Sequence, residues 1–97
     1  MQSAAEIIKL LKSFKGYVAE NYKVKEIGLF GSVIKNNQRA KSDIDILVDF
    51  KKGADLFDLV GLGQFLEKKL HRKVDIVPKK ALRTEIRKRV LEEVVQV

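Results

Sequence analysis

Polar and apolar residues alternate along this chain with a period that changes from one segment to the next. Ser3 and Glu6 have the spacing of a helix capping box, and apolar residues follow at helical intervals. This predicts a helix from about residue 4 to about residue 20. Val24 to Phe30 is apolar and β-branched, and it ends at Gly31-Ser32. This second pattern predicts a strand that runs into a turn.

The second half of the chain carries two more strand patterns and two more helix patterns. Asp43 to Phe50 alternates carboxylates with apolar residues, which predicts a strand with one face on the core. Asp55 can cap a helix that carries apolar residues as far as Leu70 and ends in a basic cluster. Lys73 to Val77 is short, β-branched and stopped by Pro78, which predicts a third strand. Apolar residues at intervals of four predict a last helix: Leu82, Ile86, Val90 and Val94.

The order of these elements predicts an α/β fold, with a small mixed β-sheet flanked by helices. Residues 33–41 are predicted to form a short helical turn and a polar loop. Because this link is too short for a helical crossover, the first two strands are expected to pair antiparallel. No repeat or linker interrupts the pattern, so residues 1–97 are expected to form a single domain.

The composition narrows the chemistry that this fold can carry. Lys and Arg number 20 against 13 Asp and Glu, and the net charge of +7 suits nucleic acid, nucleotide phosphates or an acidic partner protein. The chain has no cysteine and one histidine, which favours hard metal ions such as Mg²⁺ on oxygen ligands. It has no long apolar run and no signal-peptide pattern, so a cytoplasmic protein without a membrane segment is expected.

Three carboxylates and a glycine-serine turn form the candidate site. Asp43 and Asp45 point to the same face of one predicted strand, with Cα atoms about 7 Å apart. Both can reach a pair of divalent ions about 3.5–4 Å apart, and Asp75 on a neighbouring strand can act as a third ligand and as general base. Gly31 lets the backbone approach a phosphate and Ser32 adds a hydroxyl donor. This set suits two-metal phosphoryl displacement on a triphosphate.

A plainer interpretation of the acidic residues stays open, because an isolated Asp-x-Asp is most often two solvated acids at a strand edge. The functional interpretation rests on the order in which a strand, the Gly-Ser turn, the Asp-x-Asp strand and a further aspartate strand occur. Asp49 lies on the same face but about 13 Å from Asp45, so it is left out of the site. His71 lies in a basic run, where a solvated histidine at a helix end is expected.

The segments Leu29–Ser32 and Ser42–Phe50 resemble the signature of the polymerase-beta-like nucleotidyltransferases, and most closely that of their minimal branch, MNT. The resemblance extends from Ile7 to Val97 and implies the polymerase-beta-like nucleotidyltransferase fold. It places the triphosphate on Gly31 and Ser32. It places the metal ions on three carboxylates: Asp43, Asp45 and Asp75. Many members have a basic, glycine-rich stretch after the Gly-Ser turn that this chain lacks. Three basic loop residues could replace those nucleotide contacts: Lys35, Arg39 and Lys41.

The resemblance also implies a reaction and a partner. The usual companion of the minimal branch is a HEPN toxin, and the chain is expected to be its antitoxin, transferring AMP from ATP to a toxin tyrosine with Mg²⁺. Two alternatives stay open. One is neutralisation of the toxin by binding alone. The other is transfer to RNA or a small molecule, which the absence of a predicted second domain disfavours.

Two further surfaces were weighed as sites of contact with other molecules. The last helix is basic, but no aromatic and basic pattern accompanies it, so direct contact with nucleic acid is not expected. Apolar residues at the C-terminus could form an oligomer interface or complete the core: Val94, Val95 and Val97.

Overall fold

The computed structural model describes residues 3–31 and 43–97, and within these ranges the elements follow the hydrophobic pattern of the sequence. The helices and strands are α1 (Ala4–Asn21), β1 (Val24–Phe30), β2 (Ile44–Phe50), α2 (Leu56–Leu70), β3 (Val74–Pro78), α3 (Thr84–Glu93) and β4 (Val95–Gln96). A short 3-10 turn at Lys79–Ala81 joins β3 to the segment before α3. The predicted first helix and the three predicted strands are confirmed to within a residue or two.

The four strands form one mixed sheet in the order β3-β2-β1-β4. β1 runs antiparallel to β2 and to β4, whereas β2 and β3 are parallel. The predicted mixed sheet and the antiparallel pairing of the first two strands are therefore confirmed. The helix α2 provides the connection that a parallel pair requires.

Side chains before α1 and α2 satisfy the first backbone groups of each helix. The Ser3 hydroxyl accepts a hydrogen bond from the Glu6 backbone N–H at 3.2 Å. At α2 the bonds are reciprocal, because the Asp58 N–H donates to the Asp55 carboxylate and the Asp55 N–H donates to the Asp58 carboxylate, at 3.1 and 3.0 Å. Each cap contributes about 1 kcal/mol of helix stability. The predicted cap at Asp55 is thus confirmed.

The larger part of the core lies between one face of the sheet and the helices α1 and α2. Its fully buried side chains come from both helices and from β1 and β2, among them Ile7, Leu11, Ile27, Leu29, Ile46, Val48, Leu62 and Leu66, while β3 adds the partly buried Val74 and Ile76. Each side chain of this size stabilises the fold by about 1.5–3 kcal/mol through burial. This packing holds β1, β2 and β3 side by side, which is what brings the candidate site together.

The opposite face of the sheet is covered by α3 and its flanking residues. Leu47, Leu82 and Val90 are buried there, and Phe30, Val77 and Val94 pack against them. The predicted last helix extended from Leu82 to Val94, and this was wrong at both ends, because α3 spans only Thr84–Glu93. The chain is extended at Val94 and adds the short strand β4 beside β1, an element that the helical spacing of Val90 and Val94 just before it concealed.

Several predictions fall on residues that lie outside the described ranges. They concern Ser32, Lys35, Arg39, Lys41 and the turn and loop expected over residues 33–41. Within the described ranges, no helix combines the length and the apolar character needed to cross a membrane.

Candidate active site

Two of the three predicted carboxylates are direct neighbours in the sheet. In the parallel register of β2 and β3, Asp45 lies opposite Asp75. Neighbouring strands are about 4.8 Å apart and partner residues point to the same face, so the two side chains lie next to each other. Leu47 and Val77, two positions further along the same strands, pack in the cluster beneath α3. A carboxylate pair therefore borders an apolar floor at one end of the sheet.

Asp43 lies immediately before β2 and its side chain is exposed. The strand begins at Ile44, whose N–H donates to the Lys73 carbonyl at 2.9 Å. This bond aligns the starts of β2 and β3, so Asp43 enters the same end of the sheet as the carboxylate pair. Its carboxylate is accessible to a ligand from solvent, whereas the Asp45 side chain is half-buried.

Gly31 brings the backbone of the turn after β1 directly onto Asp45. Phe30 is the β1 partner of Asp45 in the antiparallel register, and Gly31 follows with a φ of 79°. A Cβ at Gly31 would collide with the Asp45 carboxylate, lying 2.9 Å from its Cγ. Only glycine tolerates both the left-handed backbone and this approach. The predicted association of the Gly-Ser turn with the aspartates is therefore seen for Gly31.

A residue that the sequence did not suggest supports Asp75. The Glu67 carboxylate, on α2, accepts a hydrogen bond of 3.0 Å from the Val74 N–H in a partly buried position. Val74 directly precedes Asp75, so this bond fixes the start of β3 at the level of Asp45. An isolated glutamate in a helix carries no sequence signal for such a contact. The helix and the strand have to be packed together before it becomes visible.

The chemistry of the carboxylates fits a hard divalent cation. Aspartate oxygens are ligands that Mg²⁺ prefers, and two adjacent carboxylates repel one another unless a cation compensates them. Asp45 beside Asp75, with the exposed Asp43 two positions away, offers such a donor set. In the part of the chain that the structure describes, no group of three or more Asp, Glu or His side chains is gathered closely enough to hold a metal ion.

The sequence predicts that Asp49 and His71 take no part in the site. Asp49 lies four positions along β2 from Asp45, on the same face, and lines a separate hollow near the opposite end of the sheet. His71 ends α2 with a left-handed backbone and an exposed side chain. Its exposure agrees with the solvated role expected from the sequence.

Comparison with known proteins defines the family. The chain belongs to the nucleotidyltransferase domain family, whose model matches residues 11–97. A relative from Thermococcus cleftensis, named protein adenylyltransferase MntA, is 40% identical over 97 residues that cover 100% of this chain and 98% of the relative. The expected resemblance to the nucleotidyltransferases is confirmed.

Solved structures add the fold and the assemblies in which similar chains occur. A structure described provisionally as a minimal nucleotidyltransferase has a TM-score of 0.77 and 31% identity, over 93% of this chain and 95% of that one. A crystal structure of a toxin-antitoxin with AMP-PNP has a TM-score of 0.68 and 33% identity, over 93% and 68%. A tri-AMPylated Shewanella oneidensis HEPN toxin in complex with an MNT antitoxin gives 0.63 and 26%, over 91% and 69%. The fold is that of the minimal nucleotidyltransferases.

Proposed function

We propose that this protein is an antitoxin that transfers AMP from ATP to a tyrosine hydroxyl of a HEPN-type toxin, with Mg²⁺. The observation that carries the proposal is the placement of Asp45 beside Asp75, with the Gly31 backbone against Asp45, in a nucleotidyltransferase fold. The protein adenylyltransferase name of a relative with 40% identity supports AMP as the transferred group. The AMPylated HEPN toxin in a similar complex supports a protein acceptor.

Each residue has a defined part in the proposed reaction. The acceptor oxygen bonds to the α-phosphorus of ATP, the bond from that phosphorus to the β-phosphate bridging oxygen breaks, and pyrophosphate leaves. Asp75 accepts the hydroxyl proton as general base. Asp43, Asp45 and Asp75 would hold two Mg²⁺ ions, which when bound neutralise charge on the phosphate oxygens. The carboxylates thereby orient the triphosphate for attack in line with the leaving group.

The turn after β1 holds the triphosphate tail in this proposal. Gly31 allows the backbone N–H groups that follow it to approach the phosphates, and Ser32 adds its hydroxyl. Lys35, Arg39 and Lys41 are proposed as further cationic contacts from the same loop. We also propose that residues 1–97 act as one domain, which is supported by a relative aligned over 98% of its own length.

The test is incubation of the purified chain with ATP, Mg²⁺ and a HEPN-type toxin, followed by intact mass analysis of both proteins. The proposal predicts a toxin heavier by one or more AMP groups, and peptide mapping that places them on tyrosine. A toxin that keeps its mass while its activity disappears would instead establish neutralisation by binding alone. The stable toxin-antitoxin complexes formed by similar chains make that second function the one to exclude.

The two functions also differ in what the aspartates do for neutralisation. Under AMP transfer, Asp43→Ala and Asp45→Ala abolish both the mass increase and the neutralisation of the toxin. Under binding alone, the same variants neutralise the toxin as well as the wild-type chain does. An acceptor screen with labelled ATP covers the remaining alternative, transfer to RNA or a small molecule.

A further inference from the structure

The first turn of α2 exposes an unusual amount of apolar surface. The side chains of Leu56, Phe57 and Val60 are 70%, 87% and 49% exposed. At helical spacing these three positions fall within one arc of about 100°. Among the described residues they are three of the seven large apolar side chains that are exposed, so they form a cluster and not scattered single residues. Clusters of this kind mark surfaces that other molecules cover.

One hollow meets this cluster at Leu56, and a second hollow shares walls with the first, so that together they extend the apolar surface across the end of the sheet. One, of about 330 Å³, lies between Leu56 and Pro78, and the other, of about 210 Å³, continues past Pro78 to the lysines of two loops. Both hollows have Phe50, Ala54 and Pro78 in their walls. We call the whole area the lysine-rimmed surface. It comprises Phe50, Ala54, Leu56, Phe57, Val60, Pro78 and the four lysines Lys51, Lys52, Lys79 and Lys80.

The rim of this surface carries four lysines, and three of them have no hydrogen-bond or ion-pair partner among the described residues. Among the described residues, none makes a hydrogen bond or an ion pair with the side chains of Lys52, Lys79 and Lys80. Lys51 is tied to the Ala19 carbonyl at 3.2 Å. The acidic neighbours are Asp49, which lines the smaller hollow, Glu26, which lines a further small hollow together with Asp49 and Lys79, and the capping pair Asp55 and Asp58, which bond to each other's backbone. The rim is therefore complementary to an acidic ligand.

The combination of an apolar centre and a cationic rim suits a protein segment better than a nucleic acid. Interface centres in protein complexes are apolar and rich in aromatic residues, and their rims are polar. Phe57 is the one exposed aromatic side chain of this surface, and Leu56 and Val60 add no stacking surface, whereas single-strand platforms stack successive bases on several aromatic side chains.

This surface lies at the far end of the sheet from the carboxylates. Phe50 is five positions along β2 from Asp45, which places the two about 17 Å apart at the rise of a strand. A protein anchored at the lysine-rimmed surface could present another part of itself to Asp45 and Asp75 without competing with the nucleotide. Anchoring and transfer would then depend on different residues.

We propose that the lysine-rimmed surface docks the acceptor protein, through an acidic segment of that protein that carries a large apolar side chain. The proposal rests on the proposed function only in taking the acceptor to be a protein. Phe57 is the anchor, because it is the most exposed large apolar side chain of the cluster. The free lysines flank the acidic residues of the docked segment and steer its approach.

The test compares Phe57→Ser with Ile86→Ser, a matched loss of an apolar side chain that is 46% exposed on α3. The affinity of each full chain for a HEPN-type toxin is measured by calorimetry, and its affinity for Mg²⁺ and ATP is measured separately. Phe57→Ser is expected to weaken toxin binding about tenfold or more, as for an interface anchor, and to leave nucleotide binding unchanged. Ile86→Ser is expected to match the wild type in both.

The double variant Lys79→Gln, Lys80→Gln is expected to weaken binding of the toxin and to make that binding less dependent on salt.

Each outcome decides one of the two proposals. If wild type transfers AMP but Phe57→Ser binds the toxin as tightly as wild type does, the docking proposal fails and the proposed function stands. If Phe57→Ser loses toxin binding but wild type transfers no AMP, docking stands and the proposed function fails. If Phe57→Ser instead abolishes self-association or binding to a single-stranded RNA, with toxin affinity unchanged, the surface serves another occupant and the docking proposal is overturned.

Discussion

At the scale of single residues, the site depends on how closely the chain can approach Asp45. The carboxylate has the Gly31 backbone on one side and the β3 partner Asp75 on the other. The acidic residues alone predict neither contact. The first requires that residue 31 have no side chain, and the second requires the register in which β2 and β3 pair. The residues beside the carboxylates are therefore also expected to matter for activity.

Gly31→Ala tests this close approach. The new methyl group would meet the Asp45 carboxylate, so we expect transfer of AMP to fall about 100-fold, as misplaced catalytic groups commonly cause. Gly53→Ala is the matched control, because Gly53 also has a positive φ, of 91°, but has open space around it. Both variants should lose about 1 kcal/mol of stability from backbone strain, measured by urea unfolding. Equal activity in the two variants would refute the role given to Gly31.

Glu67→Ala tests the support of Asp75. The variant leaves the Val74 N–H without its carboxylate acceptor, and a buried unsatisfied N–H costs about 1–3 kcal/mol. We expect kcat to fall about tenfold for a shift of this size in the base, with little change in the KM for ATP. Glu67→Gln keeps a carbonyl acceptor and should restore most of kcat. A loss that the glutamine variant does not restore would point to the charge of Glu67 and not to its hydrogen bond.

At the scale of elements, the sheet joins two cores of unequal size. The helices α1 and α2 cover one face with long apolar stripes, whereas α3 covers the other with little more than Val90 and the neighbouring Leu82. The C-terminal residues compensate, because β4 adds to β1 and Val94 packs on the smaller core. This arrangement needs a small residue at Gly28, whose Cβ would lie 2.6 Å from Val94 Cγ2.

Gly28→Ala is therefore expected to destabilise the protein. The methyl group would press on Val94 and on the Val95 carbonyl, and overpacking of this kind costs about 1–3 kcal/mol. Gly16→Ala is the control, because Gly16 lies in α1 with nothing within 4 Å of its would-be Cβ. That variant should gain about 0.5–1 kcal/mol in a helix. Urea unfolding measures both, and a stable Gly28→Ala protein would show that β4 docks more loosely than described.

The sequence predicted the elements that local patterns determine. The caps at Ser3 and Asp55, the helical stripes of α1 and α2, and the alternation of β2 are all encoded within a few turns or residues. β4 escaped prediction because its two residues carry no period, and because Val94, just before it, continues the helical spacing of α3. Its place beside β1 depends on Gly28, which is far away in sequence.

Only part of the candidate site could be predicted, because the sequence gives the order of its residues along the chain and not their positions relative to one another. The order of Gly31, Asp45 and Asp75 along the chain indicated which residues to consider. Gly31 lies beside Asp45 through the antiparallel pairing of β1 and β2, and Asp75 lies beside it through the parallel register of β2 and β3. The Ile44 N–H bond to the Lys73 carbonyl, between residues far apart in sequence, aligns the starts of β2 and β3. No local pattern specifies such a register. The roles of Ser32 and of the loop lysines and arginine stay predictions, since these residues lie outside the described ranges.

At the scale of the whole molecule, the two ends of the sheet have different charges and different proposed tasks. The carboxylates occupy one end, and the lysine-rimmed surface occupies the other. The net charge of +7 favours acidic partners and nucleotides in general. The local carboxylates repel a triphosphate, so this end of the sheet needs cations to bind it. Nucleotide binding should therefore depend on the metal ion.

Thermal unfolding tests this dependence. ATP with Mg²⁺ at about 100 times its Kd should stabilise the wild-type chain by about 2.7 kcal/mol and raise its Tm by several degrees. ATP with a chelator should shift the Tm far less, and the shift should return when Mg²⁺ is restored. Asp45→Asn should not respond to the metal. A shift that is the same with and without Mg²⁺ would contradict the assignment of the aspartates to metal ions.

The most direct test of the central claim is the amount of AMP that appears on a HEPN-type toxin with Asp45→Asn, compared with Asp49→Asn. Both remove one carboxylate charge from the same face of β2, and loss of Asp49 leaves the lysine-rimmed surface more positive, which does not oppose an acidic segment. With saturating toxin, ATP and Mg²⁺, we expect Asp45→Asn to slow transfer about 100-fold or more, while Asp49→Asn stays close to wild type. Intact mass analysis over time measures both. Equal rates for Asp45→Asn and wild type would show that the Asp45 carboxylate takes no part in the transfer.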